Sequence, residues 1–170
     1  MELTNAKRKL HTELLYEVYL MFTDTPDPIL AQLTDTGRTS FARMTLGEIS
    51  FTLDGFAVGR GGYNSTNPVH ITPIVGSVTA LDDQFFPILG TTKAVESTER
   101  PHQSTIVANC RLAKDEAVSA LGELGLWATI IYSAVNPSEV GTKILLAVSH
   151  FPIVTKTLKQ AILYRVIIQF

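Results

Sequence analysis

Only one cysteine, Cys110, occurs in 170 residues, so no internal disulfide can form, and the apolar run TIVANCRL around it marks a small buried side chain rather than a reactive thiol. No uninterrupted apolar run approaches the roughly 18 residues that a bilayer-spanning helix needs. The apolar residues after Lys7, Arg8 and Lys9 are interrupted by His11, Glu13 and Glu17, and no small-residue cleavage site follows, so no signal peptide is expected. Excess charge is missing too: 14 Lys plus Arg stand against 16 Asp plus Glu, which removes any global pull toward nucleic acid or an anionic membrane. These absences predict a soluble protein made in the cytoplasm, with neither nucleic acid nor membrane as a partner.

Motifs that carry chemistry are scarce as well. Gly59-Arg60-Gly61-Gly62 follows a strand pattern, but NSTNPVHITP comes next and cannot open the long helix whose amides would hold a phosphate. The four histidines, His11, His70, His102 and His150, are scattered, with no HExxH and no cysteine pair, so the spacing gives no zinc set and no cofactor is expected. There is no GxSxG for a nucleophile. Asp82-Asp83 reads as a solvated turn and Asp115-Glu116 as the exposed start of a helical turn, neither of them the pair of differently tuned carboxylates that glycoside cleavage demands. Glu123 stands out because leucines flank it and Gly122 and Gly125 bracket it. A carboxylate in that setting is costly to bury unless backbone amides or an arginine satisfy it, so it reads as a pin for the turn into the next strand. Trp127, beside Leu126 and Ala128, reads as packing before it reads as a sugar platform.

What is present is apolar material: 45% hydrophobic against 18% charged, enough for one sizeable core with some surface left for a partner. Residues Asn5 to Thr23 read as a helix capped by Thr4 and ended by Pro26 and Pro28. On that helix Leu10, Leu14, Leu15, Val18, Tyr19, Met21 and Phe22 fill an arc of about 180°, more than one core covers, which predicts an interface arm over 1–27 and an attachment domain over 28–170. A second helical segment is expected at Ile29 to Met44, broken near Thr34 to Gly37, where Thr34 or Thr36 can cap a restart. Strand signals follow at Ile49–Val58, Thr91–Ser97, Ser104–Leu112, Leu124–Tyr132, Lys143–His150 and Ala161–Phe170, with turns at Glu96–Pro101 and Asn136–Glu139. Helices first and strands after predict an α+β fold: N-terminal helices, then a mainly antiparallel β-sheet or sandwich.

Several short motifs, taken in order, resemble the N-terminal attachment domain of the phage tail-collar fibre family. They are Leu33-Thr34-Asp35-Thr36-Gly37-Arg38, Ala57-Val58-Gly59-Arg60-Gly61, the VANCRL strand, Glu123-Leu124-Gly125-Leu126-Trp127, and Leu146-Ala147-Val148-Ser149-His150-Phe151-Pro152 with Lys156 after it. The resemblance spans Leu33 to Phe170. It implies a non-enzymatic virion structural protein of a tailed phage, a tail or baseplate component that anchors or connects fibres. The implied partners are further copies of itself, commonly as a trimer, and other tail, baseplate or fibre proteins. Gly59, Gly61, Glu123, Gly125, Trp127, Phe151 and Pro152 would then be structural motif residues. Arg60 departs from the acidic or amide residue usual there. Family members usually continue into a shaft and tip, whereas this chain stops at Phe170, which implies an adaptor or baseplate role. The rival reading is a receptor- or carbohydrate-binding module built on Tyr63, Asn64 and Trp127, with a wall-degrading enzyme third.

Overall fold

A computed structural model of the chain describes residues 15–20, 28–102 and 105–169. The strands are β1 (Leu15–Leu20), β2 (Pro28–Leu33), β3 (Ile49–Gly59), β4 (Tyr63–Asn64), β5 (Asn67–Ile71), β6 (Gln84–Phe86), β7 (Ser97–His102), β8 (Thr105–Leu112), β9 (Ala120–Ser133), β10 (Lys143–Thr155) and β11 (Ile162–Gln169), with one helix, α1 (Asp35–Thr45), between β2 and β3. Nine strands form one sheet in the order β6-β3-β9-β10-β2-β1-β11-β8-β7, every pairing antiparallel, and β4-β5 makes a separate hairpin.

This architecture overturns the α+β expectation with N-terminal helices: the described chain is mostly antiparallel sheet with a single helix. Leu15–Leu20 is a strand laddered on both sides, Tyr16 opposite Ala31 of β2 and opposite Ile168 of β11. The run LYEVYL holds a β-branched and two aromatic residues, and over so few residues its apolar pattern suits either period. Two neighbouring strands decide it, because a ladder on both edges satisfies backbone groups with long-range partners that local helix propensity cannot outweigh. Leu15, Val18 and Tyr19 therefore lie on a strand and not on the expected helix. Nor do those residues belong to a separate arm, because β1 lies inside the main sheet. Leu10, Leu14, Met21 and Phe22 lie outside the described residues.

The second helical segment is also corrected. Pro28–Leu33 is strand, and the helix begins only where Thr34 caps it, its Oγ1 accepting from the Gly37 amide at 2.9 Å. Thr34 also donates its hydroxyl to the Leu145 carbonyl at 2.6 Å and its amide to the Leu146 carbonyl at 3.0 Å, which seats the helix start on β10. A β-carbon at Gly37 would stand 2.2 Å from the Leu146 carbonyl oxygen, so only glycine lets α1 approach so closely. The strand expected at Thr91–Ser97 is instead a loop with one bridge, Lys93 to Phe56, over most of its length, while Glu96–Pro101, expected as a turn, falls almost wholly in β7 (Ser97–His102) at the sheet edge.

β9 is the axis of the domain and is buried along both faces over most of its length. One face carries Leu124, Leu126, Ala128 and Ile130 into the main core with Phe56 and Val58 of β3, Leu146 and Phe151 of β10, Cys110 of β8 and Tyr164 of β11. Residues from both halves of the sheet thus share one cluster, so the sheet curls over its own core. Phe151 and Tyr164 meet there with ring centroids 5.8 Å apart. The other face of β9 carries Trp127 into a smaller cluster with Ala57, Leu81, Leu145 and Val148, roofed by Ile74 and Val78.

Candidate functional site

Alternation along β9 places Glu123, Gly125 and Trp127 on that second face. Across the ladder Gly59 of β3 and His150 of β10 flank Glu123, and Ala57 and Val148 flank Gly125. Glu123 is completely buried. Its Oε1 accepts from the amides of Gly61 at 3.1 Å and Asp83 at 2.8 Å, and its Oε2 accepts from the Asp82 amide at 2.9 Å. One side chain thereby holds the loop after β3 and the turn before β6 onto the middle of the sheet. Burial pushes the carboxyl above its ordinary range against the pull of the three amides, and the nearby charge of Asp82 adds to the rise.

The glycines of the motif follow from this carboxylate. A β-carbon would come within 2.1 Å of Glu123 Oε1 at Gly59 and within 2.7 Å at Gly61. Gly125 lies under the Trp127 ring, with a β-carbon placed 2.5 Å from Cζ3, so the spacing E-x-G-x-W records a carboxylate, a bare backbone and an indole that fills the gap. Gly62 has φ +84°, a conformation glycine adopts without strain, and its position packs beside the His150 ring.

His150 is nine-tenths buried, and its Nδ1 lies 2.8 Å from the Thr72 carbonyl oxygen. A carbonyl only accepts, so Nδ1 carries a proton and Nε2 is the ring nitrogen turned away from Thr72. That Nε2 points toward Asp82 Oδ2 at 3.9 Å and Glu123 Oε2 at 4.0 Å. Sequence reading singled out Glu123 but treated His150 as the end of a strand and Asp82 as solvated. Nothing in their spacing announces the convergence, because it is made by strand register and a turn.

The other motif residues are structural in their surroundings. Phe151 is fully buried and Pro152 is exposed on β10. Arg60 pairs with Asp83 at 3.0 Å and lies over the Phe85 ring at 4.9 Å, bracing the same turn from outside. Lys156 is buried, donating to the Lys114 carbonyl at 3.0 Å, and desolvation lowers its pKa while Asp115 and Glu116 resist. Cys110 is buried and desolvation raises its pKa strongly, which leaves it a thiol. Trp127 is 9% exposed, so its ring faces are used in packing rather than offered to a sugar. Asn64 turns back on its own loop, its Oδ1 accepting from the Thr66 amide and hydroxyl at 2.9 and 2.7 Å.

Sequence reading also missed a surface at the opposite end of β9. Leu46, Ile131, Tyr132, Val135 and Val140 are between 49% and 73% exposed there. They lie around the rim where the end of α1 meets the β9–β10 connection. Arg43 ties the two parts together, donating to Glu139 at 2.8 Å and Glu48 at 3.2 Å, while the Ala134 amide donates to the Glu48 carbonyl at 2.8 Å. No protein-family model, curated protein or solved structure matches this chain.

Proposed function

We propose that this chain is a non-enzymatic structural protein of a tailed phage, a component of the tail or baseplate that anchors or connects fibres through protein–protein contacts. One observation carries the reading: four of the five short motifs behind the tail-collar resemblance touch another of them. Thr34 and Gly37 sit on Leu145 and Leu146, Gly59 and Gly61 wrap Glu123, and Trp127 covers Gly125.

The contacts with partners fall on the apolar rim at Leu46, Ile131, Tyr132, Val135 and Val140, which is braced by charged groups rather than left loose. An exposed apolar surface with a polar border is where association removes water most favourably. Its partners are a second copy of the chain and another tail, baseplate or fibre protein. Cross-linking of purified particles followed by mass spectrometry tests this. The expected result is the chain in the particle, with cross-links from Lys143, at the start of β10 near the rim, to tail or baseplate proteins. Its absence from purified particles would overturn the proposal.

A further inference from the structure

We infer that Asp82, Glu123 and His150 bind a divalent transition-metal ion of the Zn²⁺ class, through Asp82 Oδ2, Glu123 Oε2 and His150 Nε2. These three atoms lie within 4.8 Å of one another, supplied by the turn before β6, by β9 and by β10. The inference does not depend on the proposed function.

His150 anchors the site. Its Nδ1 proton is committed to the Thr72 carbonyl, the outer-shell arrangement that fixes a metal-binding imidazole and aims the other nitrogen. Among the described residues the Nε2 so aimed meets no hydrogen-bond partner, because the nearest carboxylate oxygens stand at 3.9 and 4.0 Å, well beyond the 2.7–3.2 Å of an N–H···O bond. Nε2 and two carboxylate oxygens thus face a common point, an arrangement that a bound cation stabilises.

Separation and donor type indicate which cation. A tetrahedral ion with bonds of about 2.0–2.1 Å sets its ligand atoms roughly 3.4 Å apart, so the two histidine–carboxylate separations must shorten by roughly 0.5 Å and the carboxylate–carboxylate one, within 4.8 Å, by up to about 1.4 Å. Asp82 can supply much of that movement, since its side chain is about half exposed on a turn. An imidazole with two carboxylates suits Zn²⁺ and its first-row neighbours and disfavours Mg²⁺ and Ca²⁺, which prefer oxygen alone. Glu123 Oε2 already accepts one amide bond and keeps a lone pair free for the ion. Water completes the coordination on the exposed side. Bound there, the ion joins the turn at 81–83 to both central strands and acts as a clip.

Titration of chelator-treated protein with Zn²⁺ against a competing chromophoric chelator tests this. One equivalent is expected to bind with a micromolar or tighter Kd and to raise the melting temperature. Asp82→Asn keeps the backbone amide that Glu123 uses and so preserves the fold, as circular dichroism checks. It should weaken binding by more than the roughly 10–100-fold that loss of an outer-shell partner costs. His150→Gln should do the same, whereas Asp83→Asn, whose side chain pairs with Arg60, should bind as the parent does. Absence of Zn²⁺ binding in the parent, or parent-like affinity in Asp82→Asn, overturns the inference.

Discussion

A methyl group at Gly59 would have to displace a carboxylate oxygen that two amides hold in place, and the Asp83 carbonyl stands only 2.6 Å from the same point. Neither neighbour yields cheaply in a packed interior, so Gly59→Ala should cost about 1–3 kcal/mol, the usual range for overpacking, measured by urea denaturation. Gly37→Ala meets backbone on the facing strand and should cost at least as much. Glu123→Ala removes the acceptor of three amides and leaves a buried gap. With each orphaned buried donor costing about 1–3 kcal/mol, a loss of about 3 kcal/mol or more is expected in the same measurement. Glu123 was legible in the sequence as a satisfied buried carboxylate, because a charged residue between leucines and glycines has few other fates. Asp82 and His150 were not legible beside it: local composition says nothing of what strand register brings across the sheet.

Among the secondary-structure elements, the helix end and the β9–β10 connection are joined through Arg43, and this joint should weaken in acid. Arg43 holds the Glu139 carboxyl below its ordinary range, and Lys143 does the same for Asp54 between β3 and β10. A depressed folded-state pKa contributes stability that is complete above the unfolded value, about 4, and is lost as pH falls through the folded value. Glu123, whose pKa is raised, has the opposite sign: its contribution is fullest in acid and diminishes as pH rises through its folded value. Protection against hydrogen exchange at Ala134 and at Glu139 to Thr142, taken relative to the intrinsic rate at each pH, should therefore fall below about pH 4, and Arg43→Ala should produce the same loss of protection at neutral pH while the Glu123 loops stay protected. The strands β3, β8, β9, β10 and β11 were readable because β-branched and alternating residues mark them. β1 misled because its short apolar run fits two periods and its deciding partners lie far along the chain. β7 misled because Pro101 argues against a central strand, yet an edge position tolerates it.

For the domain entire, association through the rim predicts that Ile131→Asp combined with Val135→Asp leaves circular dichroism unchanged, since both side chains are more than half exposed. The same pair should abolish self-association in light scattering and reduce incorporation into particles. An unaltered mass distribution together with normal incorporation would remove the rim from the interface.

The strand order has a temporal meaning. β1 and β2 lie between β10 and β11, so the first hairpin described takes both of its outer partners from strands synthesised more than a hundred residues later. While the ribosome works through the intervening sequence, that hairpin waits with two unsatisfied edges, a state that invites pairing with a stranger. A chain released before residue 162 lacks β11 and should accumulate in inclusion bodies rather than as a smaller folded core. The cell that makes this protein must therefore shelter its beginning until β11 emerges.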